Sequence, residues 1–161
     1  MIRILKIVLV AFVALQGLTY FAENILNWEA AKGAVGYVLS LADHTVYPNS
    51  FVPPITNPAL VTLTLVVIVV GELLVGVLAG LGALRLLSVA GKSAEEFNNA
   101  KTLALLGCGM ALVVWFGLFT VIGGGVFQMW QTPAGDMSLD GAMTYFLSSG
   151  IVMLFLNMPD R

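Results

Sequence analysis

Glu72 is the residue whose type and position most clearly indicate chemistry, because it lies inside an apolar run, 61–84, long enough to cross a bilayer. A carboxyl group at that depth is costly to bury, and intramembrane ionisable residues commonly mark proton relays, ion pathways or ligand sites. The indicated chemistry is therefore proton or ion transfer, or recognition of a polar ligand headgroup. The structural alternative, which the sequence favours, is a neutral carboxyl group that fixes helix register.

Three other positions are expected at the same depth as Glu72, counting inward from the ends of each apolar run. They hold Gln16, Trp115, and Ser148 or Ser149. Each of these side chains can donate a hydrogen bond. Because no basic residue is expected there, we hypothesise that Glu72 is protonated and bonded to Gln16, Trp115 or both. Together these residues form a candidate polar core or ligand site.

Small residues mark the faces on which the apolar helices should pack. Gly76 and Gly80 follow Glu72 at helical spacing, and a small-xxx-small pair lets another helix approach closely. Gly117 and Gly124 share a face of the third apolar run by the same spacing. We therefore predict that these two glycine faces pack against each other, and the alternative is a loosened end of the third helix next to a ligand.

Four further residues are candidates at the predicted outer surface. Glu23 belongs to a polar stripe that either lines a wet crevice or forms a helix end covered by the following loop, and we favour the latter. His44 is a solvated residue on the favoured interpretation, and a pH-sensitive contact or a shared metal ligand on the alternative. Gln128 and Trp130 indicate an interface anchor, with stacking on a quinone ring or sugar as the alternative.

The sequence contains no arrangement typical of catalysis. There is no nucleophile with a nearby histidine, no phosphate-binding glycine loop and no paired metal-ligand spacing. The single cysteine, Cys108, excludes an intrachain disulfide, and the single histidine excludes a bis-histidine haem within one chain. We expect no enzyme activity, no cofactor and no metal.

The composition of the chain indicates which kind of helix or strand positions these residues. Of the 161 residues, 59% are hydrophobic and 10% are charged, against about 25% charged in soluble domains. A soluble chain this apolar could not cover its own surface, so lipid must solvate much of it. The net charge of −2 gives no reason to expect a nucleic-acid partner. The length allows a single domain, 1–161.

Four apolar runs approach the length of about 20 residues that a membrane-spanning helix needs. Since backbone groups in lipid must pair internally, each should be helical, which predicts an all-α four-helix transmembrane bundle. A long outer loop, 27–57, contains an amphipathic pattern over 29–41 that predicts a short helix on the membrane surface. The segment 128–140 is predicted to be a turn. The predicted spans are 4–25, 59–87, 103–127 and 142–158.

Basic residues predict the orientation of the bundle. Six of them fall together on one side if both termini lie inside, and only Lys32 then lies outside. The positive-inside rule therefore places both termini in the cytoplasm. A signal peptide is the competing interpretation of the first span, but no clean small-x-small cleavage site follows it. The six residues are Arg3, Lys6, Arg85, Lys92, Lys101 and Arg161.

Several stretches resemble a known family. They are 37–40 with His44 and 47–48, the triplet 71–73, and the third-span stretch 115–125 continuing into 128–132. Together they resemble a bacterial family of predicted small integral membrane proteins of unknown function, domain of unknown function 2165. The resemblance covers nearly the whole chain. It implies a bacterial inner membrane and supplies no catalytic residues.

Two classes of function follow. The first is a non-catalytic accessory or assembly subunit of a larger inner-membrane complex, since the predicted cytoplasmic segments are too small to form a domain and small-residue faces suit helix association. The alternative is a small proton- or ion-coupled transporter, or a quinone- or lipid-binding membrane protein, centred on Glu72. The expected partners are the bilayer and another membrane chain or a second copy.

Overall fold

A computed structural model describes residues 1–160, so Arg161, which contributed to the predicted orientation, lies outside the described residues. Among residues 1–160 the ordered elements are all helical, and four helical segments are long and apolar enough to cross a membrane. The predicted all-α membrane fold with four spans is therefore confirmed.

The first long helix, α1, is followed almost directly by a 12-residue helix, α2, and the second long helix, α3, has 31 residues. The short helix α4 leads into α5, which continues without a break as a 15-residue π-helix. A 3-10 turn then precedes the last helix. The bounds are α1 Ile2–Leu26, α2 Trp28–Leu39, α3 Pro58–Ser88, α4 Ala94–Asn99, α5 Thr102–Ala111, the π-helix Leu112–Val126, the 3-10 turn Met129–Gln131 and α6 Pro133–Asn157.

Helix α3 is central and packs against α1 on one side and α5 on the other. Glycines allow both contacts. A Cβ atom on Gly17 of α1 would lie 2.7 Å from the backbone nitrogen of Gly76. A Cβ atom on Gly82 would collide with the backbone of Ala104 in α5. Gly80 is looser, since its Cβ would lie 3.8 Å from the side chain of Ala14. Helix backbones thus touch where side chains are smallest.

The predicted packing of Gly117 and Gly124 against the glycine face of α3 is wrong. Gly124 faces Leu139 of α6, and Gly117 meets only the backbone of its own helix. The residue of this span that packs closely against α3 is Gly107, against Ala79. The physical reason is the π-helix, whose i→i+5 hydrogen bonds change the spacing of residues that share a face. The backbone N–H of Phe127, for example, donates to the Ile122 carbonyl at 2.9 Å.

Helix α6 begins nine residues earlier than the predicted start of the fourth span, at Pro133 rather than 142. The predicted turn 128–140 is therefore helical over most of its length. Thr132 caps the helix, because its hydroxyl accepts a hydrogen bond from the Gly135 N–H at 3.2 Å. Proline follows at the first helical position, where its missing N–H costs nothing. The proline and glycine that indicated a turn are here the start of a helix.

We expect Gly82→Ala to destabilise the protein, because the added methyl group meets the Ala104 backbone. Overpacking costs about 1–3 kcal/mol, which outweighs the gain of about 0.5–1 kcal/mol from replacing a helical glycine by alanine. The single, fully buried Cys108 supplies the measurement: reaction with a fluorogenic thiol reagent reports unfolding in detergent.

Gly33→Ala is the matched control, since a Cβ atom there meets nothing within 4 Å. Its unfolding midpoint should equal or exceed that of the wild type. Equal midpoints for Gly82→Ala and Gly33→Ala would contradict the close contact between α3 and α5.

Candidate functional site

A cavity of about 300 Å³ lies between α1, α3, the π-helix and α6, with α2 across one end. Glu72, near the middle of α3, lines its deep part, and Ala31 and Ala34 of α2 line the other end. The cavity therefore extends from the middle of the bundle toward the end that α2 covers. Several polar side chains of the spans line it.

Glu72 is only 1% exposed, and its hydrogen-bond partner is Asn24 of α1. The Asn24 amide nitrogen donates to both carboxyl oxygens, at 3.1 Å to Oε1 and 2.8 Å to Oε2. Among residues 1–160 no ion pair involves Glu72, and no lysine, arginine or histidine lines the cavity. A buried carboxyl group is thus held by one neutral amide.

The hypothesised hydrogen bonds from Gln16 and Trp115 to Glu72 are wrong. Trp115 lines the same cavity, but the side-chain nitrogen of Gln16 is buried without a hydrogen-bond partner among residues 1–160. Gln16 lies one residue from the face of α1 that meets α3.

That face of α1 contains Gly17, Tyr20 and Asn24, at positions i, i+3 and i+7. Residues at this spacing lie on one side of a helix. Because Gly17 has no side chain, α1 approaches the backbone of α3 at Glu72, and the Asn24 amide comes within hydrogen-bond reach of the carboxyl group. Asn24 was missed from the sequence, although its spacing from Gly17 was a usable signal.

Three aromatic rings pack together beside the carboxyl group. The ring centroid of Tyr20 lies 5.9 Å from that of Trp115 and 5.0 Å from that of Tyr145. The centroids of Trp115 and Tyr145 are 5.5 Å apart, and the two tyrosine hydroxyls hydrogen-bond to each other. All three rings line the cavity, as does Phe119 of the π-helix. The deep part of the cavity thus combines one carboxyl group with aromatic walls.

The structure does not place Ser148 or Ser149 with Glu72. Ser148 is exposed and donates to the Tyr145 carbonyl of its own helix at 3.0 Å. Ser149 is fully buried, but its hydroxyl has no hydrogen-bond partner among residues 1–160, and neither serine lines the cavity. Of the five predicted core residues, the cavity brings together Glu72 and Trp115.

A second, smaller cavity of about 120 Å³ adjoins the first under α2. The two share lining residues from α2, α3 and the π-helix, among them Val35, Ile68 and Phe119. The remaining lining of the smaller cavity is mostly aliphatic and aromatic, including Leu118 and Ile122. The combined space has a polar deep part and an apolar extension.

Two of the outer-surface candidates lie away from this space. Glu23 is exposed and accepts a hydrogen bond from Asn27 at 3.2 Å, so it neither lines the cavity nor is covered by the loop. His44 is partly exposed and lines a separate depression of about 550 Å³ within the loop that follows α2.

Gln128 and Trp130 hold the long loop against the start of α6. Trp130 packs edge-to-face on Tyr47, with ring centroids 5.4 Å apart. Gln131, which was not among the predicted site residues, accepts from the backbone N–H groups of Val46 and Tyr47 at 3.0 and 2.8 Å. Its amide nitrogen donates to Gln128 at 2.8 Å. These contacts are structural and lie outside the cavity.

A buried charge cluster closes the opposite end of the bundle. Asp160 lies 2.7 Å from the Lys6 ammonium and 2.6 Å from the Lys101 ammonium. The two lysines are 2% and 4% exposed, and both also donate to the Met158 carbonyl. The cluster joins α1 and the start of α5 to the chain that follows α6. The sequence offers no signal for it, because Lys6 and Asp160 are 154 positions apart along the chain.

The Asp160 carboxyl group titrates under opposing influences. Burial disfavours its charged form, but hydrogen bonds and charge from Lys101 and Lys6 outweigh that effect and hold its pKa below the ordinary value. Asn98 adds to the arrangement by donating to the Asp160 carbonyl at 3.1 Å and accepting from its N–H at 3.0 Å. The ionised form of Asp160 is therefore part of the fold.

The chemistry available at the Glu72 cavity is recognition. A carboxyl group, an amide and several aromatic rings can orient a small molecule that has one polar end. No group of three or more histidine, cysteine, aspartate or glutamate side chains that could hold a metal ion occurs among residues 1–160. The arrangement thus resembles a binding site, with few polar groups in a mostly apolar pocket.

Comparison with known proteins agrees with the membrane fold. A family model described as predicted small integral membrane protein (DUF2165) matches residues 2–159. Searches of curated proteins and of solved structures gave no match.

We expect Asp160→Asn to lower the free energy of unfolding by about 1.5–3 kcal/mol at pH 7, because buried hydrogen bonds to charged groups contribute that much. The stabilisation by the ionised Asp160 is fully present above the ordinary carboxyl pKa of 3.8 and is lost as the pH falls through the lower folded-state pKa. The difference between the wild type and the variant should therefore shrink below about pH 4. Denaturation by sodium dodecyl sulfate, followed by Cys108 reactivity, measures it.

Asp140→Asn is the control for loss of one carboxylate, since Asp140 is exposed and outside the ion pairs of residues 1–160. It should leave stability unchanged. Equal stability of the two variants at pH 7 would show that the charge cluster does not hold the C-terminal segment.

Proposed function

We propose, since this chain belongs to the DUF2165 family of predicted small integral membrane proteins, that it is a non-catalytic membrane protein that binds a small amphiphilic molecule around Glu72. One observation carries the proposal: a buried carboxyl group without an ionic partner among residues 1–160 lines a cavity of about 300 Å³. An ionisable group buried in a span is costly, and a ligand that contacts it explains its presence.

The shape of the space supports binding of an amphiphile. Its volume of about 300 Å³ matches the lower end of the range of ligand pockets, about 300–1,000 Å³. The polar groups, Glu72 and Asn24, lie in the deep part, and the apolar extension lies under α2. A ligand with one polar end and one apolar end would therefore bind in a single orientation.

The other sequence-based hypothesis, an accessory or assembly subunit of a larger membrane complex, is compatible with a ligand cavity. Its support is the shortness of the segments between spans, such as 89–101. The cavity is a specific feature that favours ligand binding, and binding is therefore the function we propose. A partner chain, or a second copy, could bind beside it.

We further propose a bacterial cytoplasmic membrane with both termini in the cytoplasm. Lys6 is bonded to Asp160, so the two ends of the chain lie at the same end of the bundle. Arg3 donates to the carbonyls of Ala90 and Lys92, which brings the basic loop between α3 and α4 to the same place. This concentration of positive charge supports a cytoplasmic location of that end.

Ala34→Phe should reduce ligand retention, because Ala34 lines both cavities and a phenyl ring would fill the space they share. Native mass spectrometry of protein purified in mild detergent measures the result. The wild type should carry a bound small molecule at up to one per chain, and the variant should carry less.

Ala30→Phe is the matched control, since Ala30 is also exposed on α2 but does not line either cavity. It should retain the same adduct as the wild type. The same adduct in Ala34→Phe, with unchanged Cys108 protection, would contradict binding in this cavity.

The topology has its own test, in a Cys108→Ser background that removes the only native thiol. A membrane-impermeant maleimide applied to intact spheroplasts should label Asn49→Cys, in the loop after α2, and spare Gly91→Cys, in the loop after α3. Lysis should make Gly91→Cys reactive. The reverse pattern would place the termini outside.

A further inference from the structure

We infer, on the basis of the proposed function, that the Glu72 cavity selects a monovalent organic cation: a protonated amine or a quaternary ammonium group that carries a short apolar chain. The inference rests on the sign of the charges and partial charges that line the deep part of the cavity. It also rests on the apolar space beside them.

The polar atoms near Glu72 leave acceptors for a ligand. Asn24 directs its amide N–H groups at the carboxyl group, at 3.1 and 2.8 Å, so its side-chain oxygen is the atom left to meet another molecule. Tyr20 donates its hydroxyl hydrogen to the Tyr145 hydroxyl, so this pair keeps one O–H donor as well as acceptor lone pairs. The carboxyl oxygens of Glu72 and the amide oxygen of Asn24 are the acceptors that an amine N–H group or a positive charge complements.

The aromatic walls favour the same charge. The faces of aromatic rings are electronegative, and a cation within about 6 Å of a ring centroid is attracted to them, most strongly to tryptophan. Tyr20, Trp115 and Tyr145 line the cavity together with Phe119. A carboxylate and several rings around one space form the combination that recognises ammonium groups.

An anionic group would have no counter-charge in the cavity. Lys32, on α2, does not line it, and Lys6 and Lys101 lie at the opposite end of the bundle, paired with Asp160. A buried ion without a partner is strongly disfavoured. The hypothesis of a protonated Glu72 rested on the lack of a basic partner, and a bound cation would supply that partner to the ionised form.

The smaller cavity determines the rest of the ligand. Its volume of about 120 Å³ and its aliphatic and aromatic lining suit a short hydrocarbon chain. The two cavities share Ile68 and Phe119, so a chain can pass from one to the other. A cationic head beside Glu72 and a chain under α2 would occupy both.

Fluorescence of Trp115 tests the proposal, in a Trp28→Phe, Trp130→Phe background that leaves it as the one tryptophan. The probe is hexyltrimethylammonium, titrated into protein in uncharged maltoside detergent. We expect a saturable change in emission. Glu72→Gln should weaken binding by about tenfold or more, since it removes the charge that pairs with the probe.

Glu23→Gln is the matched control, because Glu23 is an exposed carboxyl group on the neighbouring face of α1. It should bind the probe as the wild type does. Hexanesulfonate, with the opposite charge on a similar chain, should give no saturable change. Equal binding of the cation to the wild type and Glu72→Gln, both with protected Cys108, would overturn the inference.

Three further ligands, added in the same titration, distinguish the remaining outcomes. Competition by dihexanoylphosphatidylcholine would identify a lipid headgroup as a source of the cation. Lack of competition, with competition by free hexylamine instead, would identify a free amine, and each result supports the cation class. Saturable binding of neutral hexanol without binding of the cation would overturn the cation class but leave the proposed binding function intact. Absence of any saturable ligand, together with no adduct in native mass spectrometry, would overturn both.

Discussion

The hydrogen bond between Asn24 and Glu72 depends on how closely α1 approaches α3, and much of the structure depends on that approach. Gly17 permits it, since a Cβ atom at that position would lie 2.8 Å from the Glu72 backbone carbonyl. The same face of α1 carries Tyr20, whose ring reaches Trp115 and Tyr145 on the other spans. One glycine contact thus sets the position of the buried carboxyl group, its amide partner and the aromatic wall beside it.

The two halves of the bundle differ in packing, and both cavities around Glu72 and α2 lie in one of them. In the half that contains the termini, α3 meets α5 through Gly82 and Gly107 with almost no space, and the Lys6, Lys101 and Asp160 cluster closes the end. In the half covered by α2, the two cavities lie between α3, the π-helix and α6. π-Helical turns occur frequently at functional sites, and this one carries Trp115 into the cavity wall.

The membrane fold was predictable because each span is a long apolar run, and lipid allows such a run only one regular backbone structure. The start of α6 was not predictable, because threonine and proline occur both in turns and at helix starts. Only the hydrogen bond from the Gly135 N–H to the Thr132 hydroxyl shows that a helix begins here. Within the site, Glu72 was predictable because burying a carboxyl group in a membrane span is costly. Asn24 required the rotation of α1 about its axis, which depends on a contact with another helix.

The charge cluster was beyond prediction for a similar reason. Asp160 and Lys6 are separated by 154 positions, and nothing in either local sequence indicates the other. The π-helix, a rare backbone structure, was not predicted either. Sequence periodicity therefore located the helices, whereas the contacts between distant residues that build the cavity came only with the folded structure.

The coupling free energy between Asn24 and Glu72 is the most direct measure of the central claim, that these two residues join α1 to α3 at the cavity. Asn24→Ala, Glu72→Ala and the double variant, unfolded in sodium dodecyl sulfate with Cys108 as reporter, give it as a double-mutant cycle. We predict a coupling of about 1–2 kcal/mol, the contribution of one buried hydrogen bond to a polar or charged group. Additivity within about 0.5 kcal/mol would contradict the contact, and with it the arrangement of the site.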